Sequence, residues 1–448
     1  MFCHMEKLTL LAEEQNRSKM QLELNNVAKI KKATINIDGI TVIAGENNTG
    51  KSTIGKVLYS IFNSMSNMEE KIVREKRNRI ENIVWLLVQN WSMEHEANKV
   101  ENRRNYRIWA RKLTENITEF LMPENSENLE ESIRQFVKET KLWNEPVEAE
   151  EFVEECVMKL KSIINISDEK VMMEVITRWF NRVFEKQLSP LTEDSAVSKI
   201  DLILKDKLVK FRFENNTCVE WNTDVNILHE AFYIDNPFVI DYMTNGFFRA
   251  EMKSTDAHLL DYLCKEEDIF DNIFEAVLAK DKLGEIDDIL SNIVGGEFVT
   301  NQDGGYCLAS KKFSKPINIK NLSTGLKSFA LIKRLLENGS LKEKDILILD
   351  EPEIHLHPEW QLAYAEIIVL LQKKFDLTMI ITTHSPYFLD AIDVFSAKYE
   401  MSNKVNYYLA ESRDEVSYLQ DVTNNIDVIY KKLSDPLQKL ENIRSGLV

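Results

Sequence analysis

GENNTGKST, residues 45–53, sets a glycine, four further residues and then Gly-Lys-Ser in one short run of chain. Glycines at Gly45 and Gly50 let consecutive backbone N–H groups turn inward as an anion nest. Lys51 can then reach the outer phosphates of a nucleotide, and the Ser52 hydroxyl can hold magnesium. Asn47, Asn48, Thr49 and Thr53 complete the set of residues expected to bind the nucleotide. The plainer alternative is a glycine-punctuated turn with a surface lysine.

The flanks favour the phosphate loop. Upstream, Ala33, Ile35 and Ile37 alternate inward, Asp38-Gly39 supplies a tight-turn dipeptide, and ITVIA runs straight into Gly45. Downstream, STIGKVLYSIF has helical spacing. Strand, glycine loop and helix in that order are the context such a loop needs.

Whole-chain properties narrow the function classes. A chain of 448 residues with 44% apolar and 29% charged residues has ample material for a large core. Its 56 Lys plus Arg against 73 Asp plus Glu leave a formal charge of -17, which repels a phosphate backbone unless basic residues gather on one face. No apolar run is long enough to span a bilayer, and acids interrupt the opening segment where a secretory signal would stay apolar, so a cytoplasmic location is expected. Cys3, Cys156, Cys218, Cys264 and Cys307 lie far apart with no CxxC pair, which reads as reduced thiols. Residues 1–19 have no partner pattern; they read as an appended helix, or Met20 as the natural start.

The chain then changes character. Residues 65–205 are rich in charge, Trp and Met with helical periodicity, and predict a helical insertion. Its best helix follows the cap Ser167-Asp168-Glu169-Lys170, where Val171, Met172, Val175, Ile176, Trp179, Phe180, Val183 and Phe184 form a wide apolar stripe. Pro123, Pro146 and Pro190 interrupt the region and no heptad persists, which argues for a globular lobe. REKRNR and NRRNYRIWARK interleave basic and aromatic residues and could track a nucleic acid. Acids are mixed among them, so a solvated helix face or a protein-docking surface is the weightier reading. Strand signals return at LVKFRF, CVEW and AFYID, within a connecting region 206–300 whose residues 250–295 look helical, and again on either side of Asp303-Gly304-Gly305. From 301 to 395 helix and strand alternate, predicting a mostly parallel sheet covered by helices, and 396–448 reads as a C-terminal extension.

Three further elements carry chemistry. ILILDEPEIHLHPEW ends an apolar strand in Asp350 and Glu351: the first can orient magnesium through its water shell, the second can polarise the attacking water. IITTHSP ends a β-branched strand at His384, which can bond the γ phosphate or hold that water. In NLSTGLKSFALIKRLL, Ser323-Thr324-Gly325 opens a helix whose free N–H groups and positive dipole end offer a second anion site, though an ordinary N-cap has the same residues. His355 and His357 beside two acids also allow a metal pair.

In this order, Gly45 to Ser52, Leu322 to Gly325, Ile346 to Glu351 and His384 resemble the Walker A, signature, Walker B and switch histidine of ABC-type ATPases. The form LDEPEIHLHPEW followed by THSP resembles transporter subunits less than the RecF, SMC and overcoming-lysogenisation-defect group, many of which serve bacterial genome maintenance or antiphage defence. The resemblance covers residues 20–60 and about 295–390. It implies an α/β fold: a P-loop NTPase core with a mixed sheet and an antiparallel β-lobe (20–64 and 301–395) carrying the helical insertion.

By the same resemblance, ATP and Mg2+ bind at Lys51, Ser52 and Asp350, with Glu351 as general base and His384 as γ-phosphate sensor. Ser323 and Gly325 of a second copy close over the same nucleotide, giving a homodimer or higher homo-oligomer. The turn around His355 and His357 falls at the seam. Thr324 and Leu326 depart from the transporter signature, and the lobe-connecting glutamine has no clear counterpart near Tyr233 to Asn236.

The expected function is therefore an ATPase of antiphage defence or genome maintenance, controlling a partner effector such as a nuclease, with DNA as a further possible ligand and no membrane. The alternative is a slow nucleotide-gated scaffold that stores a partner protein. A transporter subunit is disfavoured by the length of chain between Gly45 and Ser323, and a small-molecule kinase is less well matched still.

Overall fold

The computed structural model describes residues 20–94, 108, 110–115, 129–140, 146–190, 196–244, 252–265, 273–301, 304–310 and 314–445. Strands β1 (Met20–Val27), β2 (Ile30–Ile37) and β3 (Ile40–Gly45) lead into helix α1 (Lys51–Met65). Helices α2 (Met68–Glu94), α3 (Leu129–Thr140), α4 (Pro146–Ile164) and α5 (Asp168–Val183) follow. Next come β4 (Ser198–Leu204), β5 (Lys207–Glu214), β6 (Thr217–Thr223) and β7 (Ala231–Ile234), then α6 (Ser254–Leu263) and α7 (Ile273–Val294). Small strands β8 (Glu297–Thr300), β9 (Tyr306–Ala309) and β10 (Ile317–Asn318) precede α8 (Thr324–Glu337). The chain continues through β11 (Ile346–Asp350), α9 (Pro358–Phe375), β12 (Thr378–Thr383) and α10 (Pro386–Lys398), and ends in β13 (Val405–Arg413), β14 (Val416–Asp421) and α11 (Asp427–Arg444).

An 11-stranded mixed sheet runs in the order β6-β5-β4-β1-β2-β14-β13-β3-β12-β11-β7. From β13 to β7 every pairing is parallel. The reason lies in composition: ITVIAG, ILILD and TMIITT are almost wholly buried, so both faces need cover, and parallel strands joined by helices supply it. The other end, β6-β5-β4-β1-β2, is antiparallel, with Leu22 and Leu24 buried while the residues between them are part-exposed. Period-two burial on one face is what an antiparallel lobe with a solvated side requires.

Asp38-Gly39 does not close a hairpin. Strands β2 and β3 are separated in the sheet by β14 and β13, which belong to the segment expected to be an extension. Gly39 turns the chain at φ +66°, and a Cβ there would lie 2.5 Å from the Lys404 carbonyl, so only glycine admits so close a backbone approach. Lys404 Nζ donates to both oxygens of Asp38 at 3.1 and 3.0 Å, pinning the start of β13 to this corner. The boundary at 395 therefore cuts through one continuous sheet.

The helical region also ends earlier than its periodicity predicts. One compact unit spans Asn67–Ile176, and the other comprises the chain before it and from Thr177 onward. The first is held by an apolar cluster that includes Ile80, Val84, Ile133, Phe136, Phe152, Cys156 and Leu160. Residues 177–205 belong to the second unit instead: Phe180 packs on Phe211 and Phe213 at 5.9 and 4.7 Å between ring centroids, and β4 pairs with β1. The stripe from Val171 to Phe184 reads as one helix, and the helix is real, but its second half is buried against a sheet that periodicity alone does not reveal. Among the described residues no helix is long and apolar enough to cross a membrane.

Helix α1 lies hard against the sheet at Gly55. A Cβ at that position would sit 2.6 Å from Ile348 Cγ2 and 3.1 Å from the Tyr233 ring. Gly55→Ala is expected to cost about 1–3 kcal/mol through overpacking. A lowered melting temperature by circular dichroism checks this; an unchanged one would contradict the tight contact.

Candidate active site

The glycine loop joins β3, which lies between β13 and β12 among the parallel strands, to the N-terminus of α1. Asn48 and Gly50 both adopt left-handed backbone, at φ 65° and 81°, which turns successive N–H groups toward one side. No side chain caps α1 at Gly50; the Thr53 N–H donates to the Gly50 carbonyl at 3.1 Å, and the positive dipole end of the helix is left for an anion. Thr49 Oγ1 donates to the Glu46 carbonyl at 2.8 Å and closes the loop on itself. Lys51 is 4% exposed, and its ammonium donates to the Gly45 and Glu46 carbonyls at 3.0 and 2.7 Å while lying 3.5 Å from Glu351 Oε1. Asn47 and Asn48 are exposed on the rim, and Thr53 lies in the first turn of α1.

The acidic strand end is built around Asp350. Its Oδ1 accepts from Ser52 Oγ at 3.0 Å and from the Thr382 hydroxyl, and its Oδ2 accepts from the Tyr233 hydroxyl at 2.6 Å. Helix α1 and strands β12 and β7 thus each send one residue to the carboxylate that β11 carries. Tyr233 is buried, and its phenol pKa is pushed well above the usual value, first by burial and then by the Asp350 charge, so it stays a donor.

Glu351 sits just past the strand at φ 52°. That conformation is strained for a residue with a side chain, and it is held by the Glu351 N–H donating to the Thr382 carbonyl at 3.1 Å and to Thr382 Oγ1 at 3.0 Å. The result points Glu351 at two cationic or donor groups, Lys51 Nζ and His384 Nδ1, each 3.5 Å from Oε1.

Tyr233, Thr382, Thr383 and Glu353 enter this cluster without having been singled out in the sequence. Glu353 is 2% exposed, and its Oε1 accepts from Thr383 Oγ1 at 2.5 Å and from the His384 N–H at 3.1 Å. Burial raises its carboxyl above the ordinary value, while those hydrogen bonds work in the other direction. The signal for Glu353 was present in DEPE, two acids flanking a proline next to an apolar strand; nothing in it distinguishes the inward acid from an outward one. The region Tyr233 to Asn236 provides a tyrosine to Asp350 rather than a glutamine, and Asp235 pairs with Lys253 at 3.0 Å.

Ser323, Thr324 and Gly325 stand apart from the loop. Ser323 is exposed and caps α8 in position without a side-chain hydrogen bond, leaving the helix's first N–H groups uncapped by it. With His355, His357 and Trp360 these residues line a cleft of about 480 Å³ that contains no residue of 45–53. Gly325 lets the chain pack closely there, since a Cβ would lie 3.0 Å from the His355 carbonyl and from the Trp360 ring and would push those neighbours aside by a few tenths of an ångström. His357 caps α9 through Nδ1, which accepts from the Glu359 N–H at 3.4 Å, and His355 packs edge-on to Phe238 at 5.9 Å. No group of three His, Cys, Asp or Glu side chains suited to a metal ion occurs among the described residues, so the histidine pair gains no further ligands there.

The basic stretches fare differently. In REKRNR, Arg74, Arg77 and Arg79 are exposed on α2, but Lys76 is buried and paired with Asp168 at 2.6 Å. Most of NRRNYRIWARK lies outside the described residues, as do Cys3, Pro123 and Asp303.

The donor chemistry fits a triphosphate with a hard cation. Ser52 Oγ and the Asp350 carboxylate, 3.0 Å apart at a helix N-terminus, form the kind of oxygen set that magnesium takes alongside water and phosphate.

The sequence profile of a family described as AAA ATPase domain matches residues 20–389. Similar solved structures include the SMC head domain from Thermotoga maritima, 10% identical, with 90% of this chain and 98% of that one covered and a TM-score of 0.39. An SMC head bound to the C-winged helix domain of ScpA is 12% identical, covering 91% of this chain and 98% of that one at a TM-score of 0.41. An SMC head with an extended coiled coil, bound to the C-terminal domain of ScpA derived from Pyrococcus furiosus, is 13% identical, with 95% and 98% covered and a TM-score of 0.39.

Proposed function

The chain belongs to the AAA ATPase domain family and is an ATPase, and from that premise we propose that two copies share each ATP, one supplying residues 45–53 and the other the start of α8. The observation that carries the reading is the convergence of Lys51, Ser52, Asp350, Glu351 and His384, with Ser323 exposed at an uncapped helix start elsewhere on the surface.

In this mechanism the inward N–H groups of the loop and Lys51 bind the β and γ phosphates, with Lys51 trading carbonyl contacts for phosphate oxygens. Ser52 and Asp350 would hold Mg2+, which would supply positive charge against that of the phosphates. Tyr233 and Thr382 orient Asp350 for that task. Glu351 takes the proton of the attacking water, and His384 donates to the γ phosphate. Ser323 and Gly325 of the second copy present N–H groups to the same phosphate, so closure and turnover are coupled.

Mixing two inactive variants tests the sharing. Lys51→Ala and Ser323→Arg should each be inactive alone. Combined in equal amounts they should recover about a quarter of wild-type ATP turnover, because half of the dimers are mixed and each mixed dimer has one intact site. No recovery would remove the shared site.

At the cellular level we assign the assembly to antiphage defence or genome maintenance in the cytoplasm, with ATP-dependent closure controlling an effector protein such as a nuclease. A nucleotide-gated scaffold that holds its partner with little turnover is the second reading. The net charge of -17 favours a protein partner over a nucleic acid as the principal one in either case. Turnover strongly raised by DNA would favour the first reading; slow, DNA-insensitive turnover with a protein that co-purifies would favour the second.

A further inference from the structure

The acidic turn after β11 and the histidine turn after β12 are joined by more than the Glu351 to His384 contact. Glu353 reaches across and accepts from both Thr383 Oγ1 and the His384 N–H through the same oxygen, with His384 Nδ1 3.8 Å from it. Its other oxygen, Oε2, is buried without a hydrogen-bond partner among the described residues. A carboxylate buried with one oxygen unsatisfied is costly, so packing alone does not account for it.

The contacts around it form a closed circuit. Thr383 Oγ1 accepts from the Ser385 N–H at 3.0 Å, Ser385 Oγ donates to Gln361 Oε1 at 3.1 Å, and Gln361 Nε2 donates to the Leu356 carbonyl at 3.2 Å. The Leu356 N–H returns to the Glu353 carbonyl at 2.9 Å. His384 has 41% of its side chain exposed, and the turn that bears it is tied into this circuit through its N–H.

We propose that Glu353 is the positioning residue of the site: its Oε1 sets the backbone of His384, and thereby the imidazole, at the distance from Glu351 that hydrolysis needs. This rests on the assignment of His384 to the γ phosphate made above. Glu353 acts through His384, by way of the contacts of its Oε1 with Thr383 Oγ1 and the His384 N–H. A displacement of about 1 Å at a reacting group can lower a rate by on the order of a hundredfold, which makes so small a circuit consequential.

Steady-state ATPase kinetics on the full chain, with binding of a fluorescent ATP analogue in parallel, tests the inference. Glu353→Ala should lower kcat about ten- to a hundredfold while KM and analogue affinity stay within about twofold, the pattern of a lost transition-state interaction. Glu353→Gln, whose amide oxygen still accepts both hydrogen bonds, should recover to within about threefold of wild type. Glu353→Asp keeps the charge but is one methylene shorter, and should remain as slow as the alanine variant; if the alanine variant does not fold, the Gln and Asp pair carries the test.

In a His384→Ala background, Glu353→Ala should lower kcat by less than about twofold further. Full activity of Glu353→Asp, parallel loss of analogue affinity, or multiplying losses in the double variant would each overturn the inference while leaving the role of His384 in place. If His384→Ala keeps wild-type kcat, the histidine assignment fails first, and that result is distinct from all of these.

Discussion

Glu351→Gln lowers ATP turnover by on the order of a hundred- to ten-thousandfold, the range lost when a general base is replaced by a group that cannot take a proton. The nucleotide should still bind, because Lys51, Ser52 and the loop amides are untouched. In the proposed mechanism Glu351 is that base, and its Oε1 lies 3.5 Å from Lys51 Nζ and from His384 Nδ1. The amide keeps that shape but neither the charge nor the basicity. With binding intact and hydrolysis stopped, ATP should hold two copies together, which light scattering reads as a mass increase that requires ATP. Unaltered turnover would remove Glu351 from the mechanism, and a mass indifferent to ATP would remove the shared site.

The second large effect belongs to Lys51→Ala. Its ammonium is buried at a helix N-terminus, satisfied by two backbone carbonyls and close to an acid. Removing one partner from a desolvated charge contact costs about 2–5 kcal/mol, so the dissociation constant for ATP should rise from about thirtyfold to several thousandfold. Equilibrium binding of a fluorescent ATP analogue measures it. Affinity within a few-fold of wild type would mean that residues 45–53 bind something other than the triphosphate. The two variants also differ usefully in kind: one should hold ATP without consuming it, the other should fail to hold it.

Much of the site could be read from short runs of sequence because its chemistry is local. A phosphate loop is built from consecutive backbone groups, so Gly45 to Ser52 can be recognised without knowing what surrounds them. The apolar runs before Asp350 and His384 mark strands buried on both faces, which is why a parallel sheet was legible from ILILD and TMIITT. Tyr233 and Glu353 were not legible. Each acts through one atom that meets a residue 117 or 30 positions away, and local periodicity carries no information about such pairings. Tyr233 looks like any aromatic in a buried strand until β7 is set beside β11.

The antiparallel lobe shows the same division. Alternation in MQLELNNV and KATINI marks strands, and the Asn215-Asn216 turn between β5 and β6 keeps both residues at positive φ, as a tight hairpin demands. Which strands become neighbours is another matter. β2 and β3 follow one another in the chain and yet lie on opposite sides of the β13-β14 hairpin, because Gly39 admits the Lys404 backbone and Asp38 holds its ammonium.

Local composition was thus sufficient for the kinds of element and for a parallel sheet covered by helices, since each follows from the conformational limits and burial of residues close in the chain. The order of strands, the inclusion of β13 and β14 in the central sheet, and the gathering of Tyr233, Thr382 and Glu353 around Asp350 and His384 required the folded chain. Those features arise from contacts between distant segments, where the energy lies in complementary surfaces and paired polar atoms that no single segment contains.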